Sequence, residues 1–248
     1  MEEFFVKAGC CGFRMRQVEY TAHFPVVEVQ QTFYQPPKVE TLKKWRADAP
    51  DSFEFTLKAW MLITHEARSP VYRRLKRVLD EEEREGCGAF RDSAIVREAW
   101  EVTRASAEAL RAERLLFQCP ASFKPVPRNV SNLRRFFGSV ERGPLRFLWE
   151  PRGDWPDPLV RELCEELELV HVVDPFAART VTPRECYYRL HGRGGFRYTY
   201  ETGELEELIE MLPRGRATSY VLFNNVRMRE DALRFQELVR AAEEERRR

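Results

Sequence analysis

Residues 145–174 read LRFLWEPRGDWPDPLVRELCEELELVHVVD, and this stretch decides the fold. Leu145 to Trp149 is a run of mostly apolar, aromatic-rich side chains, too short for a helix and suited to a strand. The polar turn Glu150-Pro151-Arg152 follows. Leu159, Leu163 and Leu167 then recur at the spacing of one helix face, and a second apolar run, Leu169 to Val173, ends on Asp174. Two strands separated by one amphipathic helix make a βα unit. Strands with so little polar alternation belong to a parallel sheet buried on both faces.

Working outward, the same pattern recurs along the chain. Further runs lie at Phe5 to Ala8, Val26 to Val29, Phe53 to Leu57, Leu115 to Phe117, Tyr187 to Leu190 and Tyr220 to Phe223, which makes eight with the two above. Helical periodicity appears in Leu42 and Trp45, in Ile95, Ala99, Val102, Ser106 and Leu110, in Leu205, Leu208 and Leu212, and from Ala232 through Phe235 and Val239 to Ala242. Ser131 suits the N-cap of a helix carrying Leu133, Phe136 and Phe137, whereas Asp174 to Glu185 reads as irregular. A chain of 248 residues matches the ~250 typical of one α/β barrel. The expectation is therefore an α/β protein, a single (β/α)8 TIM-like barrel over residues 1–248, with a long helical insertion between strands 3 and 4 at about 60–113. Within that excursion Asp80 to Glu85 reads as a solvated helix face, and Gly86, Cys87 and Gly88 separate it from the next helix.

Composition narrows the function classes. With 41 Lys+Arg against 40 Asp+Glu the formal charge is +1, so bulk electrostatics do not hold this body to nucleic acid. No apolar run approaches the ~18 residues of a membrane span, and the opening MEEFFVKAGCCGF lacks the basic and apolar regions of a secretory signal; a cytoplasmic protein without a membrane partner is expected. The six cysteines, Cys10, Cys11, Cys87, Cys119, Cys164 and Cys186, form no C-x-x-C pair and read as buried thiols, with a disulfide left open. Charge carried by Arg and Glu, with few Asn and Gln, fits a thermophile or a GC-rich genome.

Reactive groups of such barrels sit at the C-terminal ends of the strands. Here the second run contains Glu28 and leads to Gln30, Gln31 and Tyr34, the third leads to Lys58, the fourth to Gln118, the fifth to Glu150 and Arg152, the sixth to Asp174, the seventh to Arg189 and His191, and the eighth to Asn224 and Asn225. Period-two alternation puts Glu28 with Gln30, Glu150 with Arg152 and Arg189 with His191 on shared faces. Glu28, Glu150 and His191 are the acid/base candidates. Lys58, Gln118, Arg152, Asp174, Arg189, Arg193, Asn224, Tyr34 and Trp155 are the ligand-binding candidates, the cations suited to a phosphate or carboxylate and the aromatic rings to stacking. Each is equally readable as a strand-end salt bridge, a cap or packing. Glu28, Glu150, Asp174 and His191 could also converge on a divalent ion, but the interleaved Lys58, Arg152 and Arg189 compete for the carboxylates, so no metal and no cofactor are expected.

These residues also carry a resemblance. The ordered succession Gly9-Cys10-Cys11-Gly12-Phe13, Val27 to Tyr34, Lys58-Ala59, Ile63-Thr64-His65, Leu116 to Phe123, Trp149-Glu150-Pro151-Arg152, Tyr188 to Arg193 and Phe223-Asn224-Asn225 resembles the domain of unknown function 72, the YecE-like family. The likeness spans nearly the whole chain and implies a TIM-like barrel with these motifs at its C-terminal mouth. It implies no settled activity. Cys10 and Cys11 stand where the family's small hydroxyl residues are usual, Phe13 where its Trp is usual, and Gln30 and Gln31 where Asn and Ser are typical.

Two functions follow from the residues. One is an enzyme or ligand-binding barrel for a small anionic compound, phosphorylated or carboxylated and of sugar type, with acid/base chemistry of unassigned reaction type. The alternative is a protein that binds or processes nucleic acid through the basic stretch Arg179, Arg184, Arg189, Arg193 and Arg197. Oligomeric state is not legible.

Overall fold

A computed structural model describes residues 5–213 and 217–247; the acids Glu2 and Glu3 used in reading the N-terminus lie outside them. Among them eight strands are present, β1 (Phe5–Cys10), β2 (Val26–Val29), β3 (Glu54–Lys58), β4 (Arg114–Gln118), β5 (Arg146–Glu150), β6 (Val170–Val173), β7 (Tyr187–Leu190) and β8 (Thr218–Phe223). They close in that order as a parallel barrel, the fold expected from the eight apolar runs. Among the described residues ten α-helices are interleaved: α1 (Gln17–His23), α2 (Gln31–Tyr34), α3 (Val39–Ala47), α4 (Met61–Thr64), α5 (Glu81–Gly86), α6 (Ala94–Leu110), α7 (Pro127–Ser139), α8 (Asp157–Glu166), α9 (Thr202–Glu210) and α10 (Met228–Arg247). Between β3 and β4 the chain runs through α4, a 3-10 turn at Pro70–Arg74, α5 and α6. Asp80 is exposed and caps α5 in a reciprocal box with Glu83, so the charge run is a capped, solvated helix. Ser131 is not an N-cap. Pro127 opens α7 one turn earlier, because a proline at the first helical position loses no hydrogen bond and has its φ already set.

The chain forms two compact units, one drawn from 1–28, 49–54 and 170–248 and the other from 29–48 and 55–169. In the first, β1 pairs with β8 along its whole length, from Phe5 opposite Thr218 to Cys10 opposite Phe223, and β8 continues into β7 and β6. The β1 and β2 ladder registers only at Cys10 opposite Val27. A tyrosine from α1 bridges the same strands: the Tyr20 hydroxyl accepts from the Cys10 N–H at 2.7 Å and donates to the Val26 carbonyl at 2.9 Å. Gly9 permits the approach, since a Cβ there would stand 2.1 Å from the Val26 carbonyl oxygen.

In the second unit, β3, β4 and β5 pair in register, ending with Gln118 opposite Glu150. Their outer side is packed by Phe90, Trp100, Phe117, Phe136, Phe137 and Phe147, rings in mutual contact between strands and helices. Gly88, Ala89 and Phe90 adopt left-handed φ values of 76°, 51° and 53°, which for the last two residues is strained. The run is held because its N–H groups reach the carbonyls of Leu62, Thr64 and Ile63, the otherwise orphaned acceptors of α4.

Two substitutions test the β1 and β2 junction. Gly9→Ala is expected to cost roughly 3 kcal/mol by overpacking, and Tyr20→Phe about 2 kcal/mol by leaving a buried donor and acceptor unpaired. Urea denaturation of each variant provides the check.

Candidate functional site

The C-terminal ends of β7, β6, β2 and β1 build one polar cluster within the first unit. Tyr187 and Arg189, two apart on β7, share a face, and both reach Glu28 of β2. The Tyr187 hydroxyl donates to Glu28 Oε2 at 2.9 Å. The Arg189 guanidinium donates from Nη2 to Oε1 at 2.9 Å and from Nε to Oε2 at 3.1 Å, a two-pronged grip. Glu28 is 0% exposed and Arg189 1%, so this ion pair is fully out of water. Nη1 of Arg189 also faces His191 Nε2 at 3.4 Å, and Nη2 faces Cys11 Sγ at 3.7 Å. Burial, followed by the Glu28 charge, holds the Cys11 thiol well above its usual pKa, which keeps it protonated.

Arginine has no acceptor, so His191 receives at Nε2 and carries its proton on Nδ1, an assignment made from the hydrogen bonding. That Nδ1 faces Asp174 Oδ2 at 3.8 Å. Asp174 is itself pinned, Oδ2 accepting from the His191 backbone N–H at 2.9 Å and Oδ1 from the Phe176 N–H at 3.1 Å. Asp174 and His191 keep 15% and 24% of their side chains exposed, so the line from Glu28 through Arg189 to His191 ends at solvent. The following loop starts at Gly192, with φ 87°, where a Cβ would meet the Gly195 carbonyl oxygen at 2.4 Å. Arg193 beyond it pairs with Glu204 and Glu207 of α9 and lies over the Phe176 ring. Asn224 is half-buried; the neighbouring Asn225, fully buried, donates to the Tyr198 carbonyl and to Asp231, clipping this loop to the start of α10.

In the second unit Lys58 ends β3 with its ammonium 3.6 Å from the Phe33 ring centroid. The Thr32 hydroxyl lies 2.8 Å from the Lys58 carbonyl, fixing the backbone there. His65, just past α4, sets its ring at a steep angle to Phe33, and its Nδ1 lies 2.7 Å from Thr64 Oγ1. Burial, and then the charge of Lys58, pushes the His65 pKa down to about 3. Glu150, almost wholly buried at the end of β5, pairs with half-exposed Arg152 at 2.6 Å, and Gln118 lies opposite it in the ladder. The Tyr34 ring carries the Arg74 guanidinium at 3.6 Å. Trp155 is a packing residue in this arrangement: its N–H donates to the Phe123 carbonyl, and its ring stacks on Phe123 and meets Trp149 edge-on.

Strand-end reasoning missed Tyr187, Cys11, Thr32, Phe33 and His65. Tyr187 was findable from its period-two relation to Arg189, and His65 only from the Ile63-Thr64-His65 motif, because it ends a helical turn and not a strand. Among the described residues no group of three or more His, Cys, Asp or Glu side chains is placed to hold a metal ion, and no helix is long and apolar enough to cross a membrane.

A (β/α)8 barrel with polar strand ends is the class this geometry defines. The chain belongs to the family described as protein of unknown function DUF72, whose pattern matches residues 13–248. It is 24% identical over 239 residues to the UPF0759 protein YunF of Bacillus subtilis (strain 168), covering 83% of this chain and 79% of that one. Among solved structures, a DUF72 family protein from Enterococcus faecalis V583 superposes with a TM-score of 0.73 at 20% identity, over 97% of this chain and 99% of that one. A D-psicose 3-epimerase crystallised in the presence of D-fructose shares the fold more distantly, with a TM-score of 0.57 at 11% identity over 98% and 99% of the two chains.

Arg189→Met should cost about 3–5 kcal/mol, because it strands the Glu28 charge in the interior, and the double variant with Glu28→Gln should recover most of the loss. Chemical denaturation of the single and double variants measures this. A second expectation concerns acid. An unfolded histidine titrates near 6.5, so below that pH the unfolded chain takes up a proton that native His65 refuses until about 3. Stability from this source is complete above about 6.5 and falls as the pH drops toward 3, by on the order of 1 kcal/mol per pH unit. Denaturation of His65→Gln between those limits should show a slope smaller by one proton.

Proposed function

We propose that this protein is an enzyme that binds a small anionic, sugar-derived compound, phosphorylated or carboxylated, at the C-terminal strand ends and performs acid/base chemistry there. The observation that carries the reading is the line of Asp174, His191, Arg189 and Glu28, whose solvent end is an imidazole. His191 serves as the proton-transfer group, and Asp174 holds its tautomer. Glu28, without solvent access, acts through Arg189 as a positioning residue. Glu150 is the second acid/base candidate, with Arg152, Lys58 and Gln118 contributing ligand contacts in their own unit. Arg189, Arg193, Asn224 and Tyr34 complete the candidates. Arg193 reaches a ligand only by leaving Glu204 and Glu207. Likeness of fold to a ketose epimerase supports a sugar-type ligand by analogy alone. A cytoplasmic setting is part of the same reading, supported by six cysteines that stand as buried free thiols.

Phe196, 53% exposed beside the exposed Arg197, favours a second reading in which single-stranded nucleic acid stacks on that loop. Calorimetry against a panel of sugar phosphates, sugar acids and a short oligonucleotide separates the two. The enzyme reading expects a small-molecule ligand whose turnover falls on the order of 100-fold or more in His191→Gln and Asp174→Asn with little change in affinity. Oligonucleotide binding that weakens steeply with salt, without small-molecule binding, would overturn it.

A further inference from the structure

We infer that Lys58 and His65 form an oxyanion-binding pair, which receives the carbonyl oxygen of the ligand on an ammonium group and a neutral imidazole N–H. The inference rests on the proposed sugar-type ligand and adds that its recognised group is a carbonyl.

Three observations lead here. The two groups share one aromatic support, Lys58 over the Phe33 face at 3.6 Å and His65 against the same ring at a centroid distance of 5.0 Å. The position of His65 is fixed from several sides. Its N–H reaches the Met61 carbonyl at 2.8 Å, its carbonyl accepts from the Tyr72 hydroxyl at 2.7 Å, and Gly88 is packed so closely that a Cβ would stand 2.2 Å from the His65 carbonyl carbon. That contact belongs to the strained run Gly88 to Phe90, so backbone strain is spent on holding this turn. Finally, the Thr64 hydroxyl beside Nδ1 can donate or accept, and the pair we infer is the tautomer in which it donates, with the imidazole proton on Nε2.

The chemistry of the pair follows. A polarised carbonyl gathers negative charge on oxygen, and donors already in place in a low-dielectric site stabilise that charge without reorganising. Lys58 and His65 are 6% and 5% exposed, which provides such a setting. One cation supplies the charge. A neutral imidazole adds a second hydrogen bond without a second buried charge, and the depressed pKa of about 3 keeps it neutral throughout the physiological range. His65 is therefore suited to donate and unsuited to act as a base.

The test compares threonohydroxamate, in a buffer alkaline enough to ionise it so that its single negative charge imitates a charged carbonyl, with the neutral threonamide, using the full chain in the presence of a chelator. Calorimetry should show the hydroxamate binding at least about tenfold more tightly than the amide. Lys58→Met and His65→Ala should each erase most of that preference, the hydroxamate losing more affinity than the amide, and His65→Gln, which keeps an N–H donor, should retain part of it. Because a buried variant can fail to fold, the wild-type protein provides a second readout: the ¹⁵N signal of His65 Nε2 should move when the hydroxamate binds. Binding of both compounds without preference, or an unmoved Nε2 signal in the saturated complex, overturns the pair and leaves the sugar-type reading standing. Binding of neither compound overturns both.

Discussion

The polar cluster of the first unit depends on the buried ion pair between Arg189 and Glu28. Taking two charges fully out of water is expensive, and apolar side chains of the same volume would fill that space at lower cost. The expense is offset only because the geometry is nearly complete: the guanidinium meets the carboxylate on two edges, and the Tyr187 hydroxyl occupies a further lone pair. What the pair adds beyond packing is direction. With Nε and Nη2 committed to Glu28, Nη1 is fixed toward His191, and this assigns the tautomer that faces Asp174. A charge buried at one end of the line thus sets the protonation pattern of a group in contact with solvent at the other.

How far the sequence discloses this arrangement depends on whether the responsible force is local. The eight strands are legible because both faces of a parallel barrel strand are buried, which leaves short, almost unbroken apolar runs, and observed boundaries such as Thr218 against the expected Tyr220 differ only at strand ends. Helices α1, α2 and α4 escape detection because one or two turns cannot display a helical period. Strand-end placement and period-two alternation locate Glu28, Arg189 and His191. They do not reveal that Arg189 meets Glu28, since β7 and β2 are not adjacent in the strand order and the contact is made by the reach of the two side chains. Trp155 and Arg193 illustrate the same limit: a stacking ring and an available cation look identical in sequence to a ring packed on Phe123 and a cation held by α9.

His191 and His65 show how surroundings divide a single residue type into different chemistries. His191 keeps solvent contact and has a carboxylate beside its Nδ1. His65 is enclosed beside an ammonium, and both influences disfavour its charged form. Neither environment is visible from the residue or its immediate neighbours in the chain.

Two consecutive non-glycine residues of the second unit, Ala89 and Phe90, adopt left-handed φ off the barrel strands, and their placement has a reason. A left-handed run of non-glycine residues persists only where its contacts outweigh the torsional cost. Here those contacts are the N–H groups that satisfy the end of α4, the Asn132 side chain that satisfies the Ala89 carbonyl, and the Phe90 ring in the aromatic core. Core packing therefore holds a distorted segment in place, and that segment in turn holds the turn carrying Thr64 and His65. Placement of the side chain that follows α4 is in this way maintained by apolar burial in the outer layer, which links a residue suited to ligand recognition to the same energy that stabilises the fold.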